Sequence, residues 1–413
     1  MRFGLISGNI TTHGSGRSNV VPLAKALQQA GHEVFLIDIG SGLSGYSIDS
    51  GLTIIKVGLL SALIRHPLIG IAYLKRKTQL PLLTSLTLKS VITRLALDVV
   101  YAFSNFSALP ILMTAPIKDT VLIINLIGFG ISLGRGGKVD TFWIQSEIFS
   151  RPLWDVHICA TNFENRAYKD IYDQFGINAS KLNVLPHSYD TSMFYPPEHF
   201  ILREVKQISY PVAVYPRKNI EMLLEVSARL EKIIPIHVTI TGPIIDNSYY
   251  KYLLDLRDKL RLQGIVSFLQ GSLSTAQLGD LLRRSDLVFF PSFQETFGIG
   301  IIESLACGVP VLLPNDIPAL QDFLGMSGVS FCQRSVEDAV EAATAILRKR
   351  NMNPTYVSSE IFNRYSNHKI AERLILASQK AIEIRRAMSD FNWEQLYHCN
   401  SYAELMFSKG GRE

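Results

Sequence analysis

Charge is scarce in this chain and cysteine scarcer. Asp, Glu, Lys and Arg make up 19% of its 413 residues, against 47% hydrophobic residues, a balance that excludes global disorder. The four cysteines, Cys159, Cys307, Cys332 and Cys399, lie far apart and form no Cys-x-x-Cys pair. That excludes a disulfide-framed scaffold and a cysteine-rich zinc site, and reads as reduced thiols in a cytoplasmic protein. Long apolar runs are missing too. The longest uncharged stretch, 99–117, is broken by Ser104, Asn105, Ser107 and Pro110, so it reads as a strand and a helix start rather than a membrane span. The opening residues, Met1 to Gly8, are too short and reach glycine too early for a signal peptide, and they read as a first buried strand. No repeat of solenoid length and no low-complexity tract occurs. A chain this long exceeds one ordinary core, so two domains of roughly 200 residues each are expected.

One absence is local. Between Gly51 and Leu97 there is no Asp or Glu, whereas Lys56, Arg65, Lys75, Arg76, Lys77, Lys89 and Arg94 fall there among many leucines and isoleucines. Cationic heads beside an apolar surface suit an anionic membrane face, and the expectation is a peripheral contact through residues 51–97. The same composition also fits a core region whose charges solvate its outer face. Nucleic acid is not expected, because the interleaved aromatics of a strand-binding groove are lacking. The net charge of the whole chain is a modest +5.

What is present is a strand–helix rhythm. An apolar strand at 3–7, a glycine-bearing loop at 8–16, a helical spacing from Val20 to Ala30 and a strand from Glu33 to Ile37 make a right-handed parallel crossover unit. Further strands are predicted at 52–57, 99–103, 121–126 and 156–160. The proline-rich Phe194-Tyr195-Pro196-Pro197 reads as an exit from the first domain. A second alternating series follows, with strands predicted at 212–215, 236–240, 266–268, 287–290 and 309–313. Its helices are predicted at 219–232, 249–262, 274–284 and 298–306. Such alternation builds a parallel sheet covered on both faces, and two in tandem leave a cleft at the carboxyl ends of their strands.

The chemistry concentrates between Phe289 and Val311. There a buried strand delivers the chain to Glu295-Thr296-Phe297-Gly298-Ile299-Gly300, and Glu303 follows eight positions after Glu295. Glycines at a helix start let a ligand approach closely, and the unpaired N–H groups there suit a phosphate or sugar hydroxyls. Two acids so spaced could flank one elongated ligand. They could equally be the acid pair of a glycosidase, or a loop acid beside a helix-surface acid with no joint role. Gly14-Ser15-Gly16 has Asn19 where a dinucleotide-binding loop needs its third glycine, which argues against a dehydrogenase.

Glu-x7-Glu, with Phe-Gly after the first acid and Ala-x-Gly-x-Pro-Val after the second, resembles the retaining glycosyltransferases of the GT-B fold, family GT4. Other segments carry the same likeness: Gln270-Gly271-Ser272-Leu273-Ser274, Ser285-Asp286-Leu287, Leu185-Pro186-His187-Ser188-Tyr189-Asp190 and Gly31-His32-Glu33-Val34. The resemblance implies an α/β, GT-B architecture of two Rossmann-like parallel-sheet domains facing a central cleft. It divides the chain into an acceptor domain at 1–195, a nucleotide-sugar donor domain at 196–385, and a helical tail at 386–413 that packs back on the first. It further implies a retaining, metal-independent transfer from a nucleoside diphosphate sugar, with a UDP-sugar as first choice, to a glycan or lipid-linked acceptor. By the same resemblance Glu295 holds a donor-sugar hydroxyl. Thr296, Phe297 and Gly298 offer backbone groups to the sugar and diphosphate, and Glu303 holds the ribose. Gly271 and Leu273 border the base, and Gly14 and Gly16 lie over the donor phosphates. Arg217 and Lys218 fall where the family sets an Arg and a Lys against the diphosphate, although here the two are adjacent. Many relatives carry a His-Gly in the first domain; this chain has Asn125 in Ile124-Asn125-Leu126, and His13, His66 and His157 read as structural. The alternative that departure motivates is a non-catalytic nucleotide-sugar-binding or scaffold protein.

Overall fold

The computed structural model describes residues 1–7, 15–40, 44–49, 51–58, 80–103, 117, 119–126, 155–175, 179–198, 203–348 and 353–387. The first sheet contains β1 (Arg2–Ser7), β2 (Glu33–Gly40), β3 (Gly45–Asp49), β4 (Leu52–Gly58), β5 (Val99–Ala102), β6 (Val121–Asn125), β7 (Val156–Cys159) and β8 (Leu182–Val184). Its strand order is β3-β4-β2-β1-β5-β6-β7-β8, parallel except for the antiparallel edge pair β3–β4. With it go α1 (Ser15–Gln29), α2 (Leu80–Arg94) and α3 (Asn162–Phe175). β1, β5 and β6 read as unbroken apolar runs because both faces of the central strands are buried. β3 is an exposed edge strand, a short polar hairpin between glycines that the apolar pattern does not predict.

The second sheet contains β9 (Lys206–Pro211), β10 (Ile236–Gly242), β11 (Val266–Gln270), β12 (Leu287–Phe289), β13 (Val311–Pro314) and β14 (Val329–Cys332). All are parallel, in the order β11-β10-β9-β12-β13-β14. Their helices are α4 (Ile220–Leu230), α5 (Asn247–Lys259), α6 (Thr275–Arg283), α7 (Ile299–Ala306), α8 (Val336–Arg348) and α9 (Pro354–Tyr365). One expectation is corrected here. The strand predicted at 212–215 is displaced to 206–211, where Ile208 and Tyr210 are buried and pair in register with β10. The more apolar run Val212–Tyr215 leaves the ladder, held by Val212 N–H to Thr241 O at 2.7 Å and Val214 N–H to Pro243 O at 2.9 Å. At Gly242 a Cβ would stand 2.2 Å from Val212 O, so only glycine lets this departing segment pass.

The chain crosses between the sheets twice, side by side. Tyr189 on the outward passage bridges Ser366 on the return, and Thr191 Oγ1 donates to Asn367 Oδ1 at 3.1 Å. After the return, α10 (Asn367–Ala387) buries Ile370, Leu374 and Ala381 in the first sheet's core. Its Arg385 donates to Asp155 Oδ1 at 2.8 Å and to the Ile117 carbonyl at 3.0 Å, inside a largely buried ion pair. Removing one member of such a pair strands the other and costs about 3–5 kcal/mol. Residues 388–413, which hold most of the expected tail, lie outside the described residues, as do Gly14, His13, His66, Cys399 and the basic residues between 59 and 79.

Candidate active site

In the second sheet β9 lies between β10 and β12, and the connections leave it in opposite directions. At such a switch point the loops above the strand ends part, leaving a crevice at the carboxyl edge. The two loops that flank it carry the candidate residues. After β9, Pro216–Lys218 forms a single 3-10 turn closed by Asn219, whose φ of 50° is left-handed. After β12, residues 290–298 run to α7, whose N-cap Gly298 has φ 85°. A Cβ at Gly298 would also meet Ile301 Cδ1 at 2.5 Å, so this helix start requires glycine on two counts.

The loops meet through an ion pair. Lys218 Nζ donates to Glu295 Oε1 at 2.6 Å, and each side chain keeps 14% of its surface exposed. Ser292 Oγ donates to the same Oε1 at 2.8 Å. Among the described residues no donor is placed on Glu295 Oε2. Lys218 has three hydrogens and, among the described residues, gives one to this bond, which leaves the pair an acceptor and two donors for a ligand. Arg217 donates through Nη2 to Tyr215 OH at 2.7 Å, and its guanidinium lies 5.3 Å from that ring. Its Nε is buried with no acceptor among the described residues.

The bracing behind the pair is dense. Tyr210, fully buried on β9, places its hydroxyl 2.8 Å from Ser292 Oγ and 3.0 Å from Lys218 O. Burial, and then the charge of Glu295, push the Tyr210 hydroxyl well above the usual phenol range, so it stays protonated. Asn219 Nδ2 donates to Pro291 O at 3.0 Å, and Phe293 N–H donates to Arg217 O at 2.9 Å. Arg334, following β14, donates to the carbonyls of Pro291 and Ser292 at 2.9 and 3.0 Å and forms a two-pronged pair with Asp316. Three segments, β9, the 216–219 turn and the residues after β14, thus hold one loop. Ser292 lies inside the recognisable motif, but nothing in sequence distance marks Tyr210 or Arg334 as its partners.

Glu303 sits apart from the Lys218–Glu295 pair, a turn and a half into α7. It is buried, and desolvation together with the nearby Asp190 pushes its carboxyl up to about 8. Burial thus favours its protonated form at neutral pH. Phe297 buries its ring against His187 at 5.2 Å and against Phe323 and Tyr365 at 5.8 Å. Only its backbone is left for a ligand, as for the unpaired first-turn N–H groups of α7. His187 itself is neutral, pushed down to about 4 by burial. Thr296 is half-buried in the same loop, and Gly271 and Leu273 stand just past the carboxyl end of β11. Gly16 lies in the first turn of α1, after β1. In the first sheet, Asn125 at the end of β6 donates through Nδ2 to Tyr101 OH at 2.8 Å, and its Oδ1 is buried without a partner among the described residues.

A 540 Å³ cavity is found elsewhere, lined by Lys206, Ile234, Asp286 and Pro310 among others. These residues precede β9, β10, β12 and β13 or begin them, so the cavity opens at the amino edge of the sheet, opposite the ion pair.

Residues 195–358 match the family described as Glycosyl transferases group 1. The fold is GT-B, and the group 1 match falls on its second sheet. Sucrose-phosphate synthase from Thermosynechococcus elongatus superposes with a TM-score of 0.70 at 16% identity, covering 93% of this chain and 99% of that one. Anabaena HepE, in complex with UDP and glucose, superposes with a TM-score of 0.66 at 13% identity, covering 92% and 100%. Among curated relatives, the MMP alpha-(1->4)-mannosyltransferase of Mycolicibacterium hassiacum is 28% identical over 43% of this chain and 41% of its own length. The D-inositol 3-phosphate glycosyltransferase of Mycolicibacterium smegmatis is 26% identical over 50% and 49%. The chain thus spans about half the length of the curated relatives it matches. The matched group 1 region contains the Arg217–Lys218 turn, the Glu295 loop, Glu303 and Arg334, and leaves the first sheet outside.

Proposed function

We propose that the protein transfers a sugar from a nucleoside diphosphate sugar, with retention of configuration in the GT4 manner, to a glycan or lipid-linked acceptor in cell-surface polysaccharide or glycolipid synthesis. The observation that carries this is the Lys218–Glu295 pair at the switch-point crevice, with one carboxylate oxygen and two ammonium hydrogens unused among the described residues. A sugar joined to a diphosphate needs an acceptor for a sugar hydroxyl and, one bond away, cationic donors for phosphate. In the reaction the bond from the anomeric carbon to the diphosphate oxygen breaks, and the acceptor oxygen bonds to that carbon on the same face. The acceptor proton passes to the departing phosphate oxygen. Negative charge grows on the diphosphate, so Lys218, the Arg217 guanidinium and the α7 N-terminus act most strongly in the transition state. Glu303 faces the ribose and Gly271 and Leu273 the base. A UDP-sugar is the donor favoured by the UDP-containing HepE structure, and the transferase names of the relatives support transfer as the reaction.

Turnover of labelled UDP-sugar by the wild type, falling about 10²- to 10³-fold in Lys218→Ala, is the expected result. Equal rates in both would reject the site. Binding without turnover in the wild type would instead favour a nucleotide-sugar-binding protein, the reading that the absent first-domain histidine motivates. We place the acceptor at a cytoplasmic membrane face. No helix among the described residues is long and apolar enough to cross a membrane. The contact proposed is peripheral, through the acid-free stretch 51–97. Tyr46 and Ile48 are exposed on β3, the edge strand beside β4. Salt-sensitive binding to anionic vesicles, lost when Lys75, Arg76 and Lys77 are changed to Glu, tests it.

A further inference from the structure

The Glu295 carboxylate is not held by Lys218 alone. Its Oε1 receives two hydrogen bonds, from Lys218 Nζ at 2.6 Å and from Ser292 Oγ at 2.8 Å. Ser292 is fully buried, and its Oγ also stands 2.8 Å from Tyr210 OH. A proton count fixes the direction of this chain. The carboxylate can only accept, so the single Ser292 hydrogen goes to Glu295. Ser292 can then only accept from Tyr210. The single Tyr210 hydrogen divides between Ser292 Oγ and the Lys218 carbonyl, 3.0 Å away. Tyr210 therefore touches both halves of the ion pair, one through Ser292 and the other through the Lys218 backbone.

We infer that Ser292 and Tyr210 are the positioning residues of the donor-sugar site: Ser292, oriented by Tyr210, joins Lys218 on Glu295 Oε1, so that Oε2 alone is turned to a ligand hydroxyl, and Tyr210 locks the Lys218 turn to its own strand. The inference rests on the proposed donor site. Donor hydrogens in series strengthen one another, and a hydrogen bond onto a charged carboxylate is worth about 1.5–3 kcal/mol, or roughly 10- to 150-fold in a rate that depends on it. The chain lies away from the crevice, so neither hydroxyl needs to touch the ligand. Both act through Glu295. Without Ser292, Oε1 keeps only a flexible ammonium partner and the carboxylate can turn either oxygen to the crevice, while Tyr210 still holds the Lys218 turn through its carbonyl. The sugar end of the donor loses its fixed acceptor, whereas the nucleotide end keeps Arg217 and the α7 start.

The test compares Ser292→Ala, Ser292→Thr, Tyr210→Phe and Lys218→Ala with the wild type, each assayed for UDP-sugar turnover, for UDP affinity by calorimetry and for thermal stability. We expect Ser292→Ala to lower kcat about 10- to 100-fold with the UDP Kd within twofold and Tm nearly unchanged. Ser292→Thr, which keeps the hydroxyl, should restore most of the rate, and Tyr210→Phe should fall between. Turnover of Ser292→Ala within twofold of wild type overturns the inference, as does a parallel loss of rate, UDP affinity and Tm, which marks a merely structural serine. Lys218→Ala separates the two levels. If UDP binding weakens in Lys218→Ala while Ser292→Ala is unaffected, the positioning role alone fails. If the wild type and Lys218→Ala bind UDP equally well, the donor site fails and the inference with it.

Discussion

The carboxyl edges of the two sheets differ in the sign of what they leave unpaired. On the second sheet the side-chain groups without a partner among the described residues include a cationic donor, Arg217 Nε, and the Thr241 hydroxyl, beside the Lys218 ammonium, whose one hydrogen bond among those residues is to Glu295. On the first sheet, among the described residues, they include two oxygens: Asn125 Oδ1 at the end of β6, and Glu164 Oε1 just past β7. The Glu164 carboxyl is raised to about 7 by burial. A buried polar group without a partner costs free energy, so a ligand able to supply the missing half would be favoured there. Donors on one wall suit a phosphate; oxygen acceptors on the other suit a hydroxyl. The second wall is also the better braced. Tyr210, Asn219, Ser292 and Arg334 fix its loop before any ligand arrives, as electrostatic preorganisation requires.

This contrast can be attacked at several strengths. The largest effect is expected from Glu295→Gln. The amide keeps the side chain's size but frees Lys218 from its counter-charge. Turnover should fall about 100-fold or more while UDP binds about three- to tenfold more tightly, because the ammonium no longer has a built-in anion. Weaker UDP binding in this variant would mean that Glu295 helps to hold the nucleotide, and would blur the division between sugar and phosphate groups.

Glu303→Gln gives an intermediate effect, read as stability against pH. Burial holds the native Glu303 proton up to about pH 8, whereas the unfolded chain releases it near the ordinary 4.5. Wild-type stability therefore carries a falling contribution between those values, about 1.4 kcal/mol per pH unit. His187 contributes the opposite slope: neutral in the fold down to about 4, it draws a proton only in the unfolded chain as pH drops below 6.5. In Glu303→Gln the first slope disappears, so the variant should gain on wild type steadily from pH 5 to pH 8 in urea titrations. Parallel curves would show that Glu303 is ionised in the fold.

The smallest effect belongs to the first sheet. Asn125→Ala removes the unpaired Oδ1 and should raise the acceptor KM about fivefold while leaving the UDP Kd within twofold. An unchanged acceptor KM would remove the oxygen-lined wall from the comparison.

Local patterns carried much of this in the sequence and long-range ones did not. The Glu295–Glu303 spacing, the glycines at 298 and 300, and Lys218 before a helix were all legible, because each belongs to one strand–loop–helix unit. β9 was misplaced because the apolar Val212–Tyr215 outweighs Lys206–Pro211, whose Ser209 and Gln207 look unlike a central strand. Ser209 is nonetheless buried, its hydroxyl paired with that of Ser285 at 2.7 Å. Such tertiary compensation leaves no periodic trace. Arg334 braces a loop some forty residues earlier by bonding to carbonyls, which every residue has, so no side-chain pattern could announce it. The protonated state of Glu303 likewise follows from burial and from Asp190, a residue of the interdomain crossing.

Crystals soaked in turn with UDP, GDP and ADP would locate the donor site outright. A diphosphate is expected at the carboxyl edge of the second sheet, between the α7 start and the Arg217–Lys218 turn, with Lys218 Nζ within hydrogen-bond reach of a phosphate oxygen. A nucleotide seated in the amino-edge cavity, or at the carboxyl edge with Lys218 still turned wholly to Glu295, would contradict that placement.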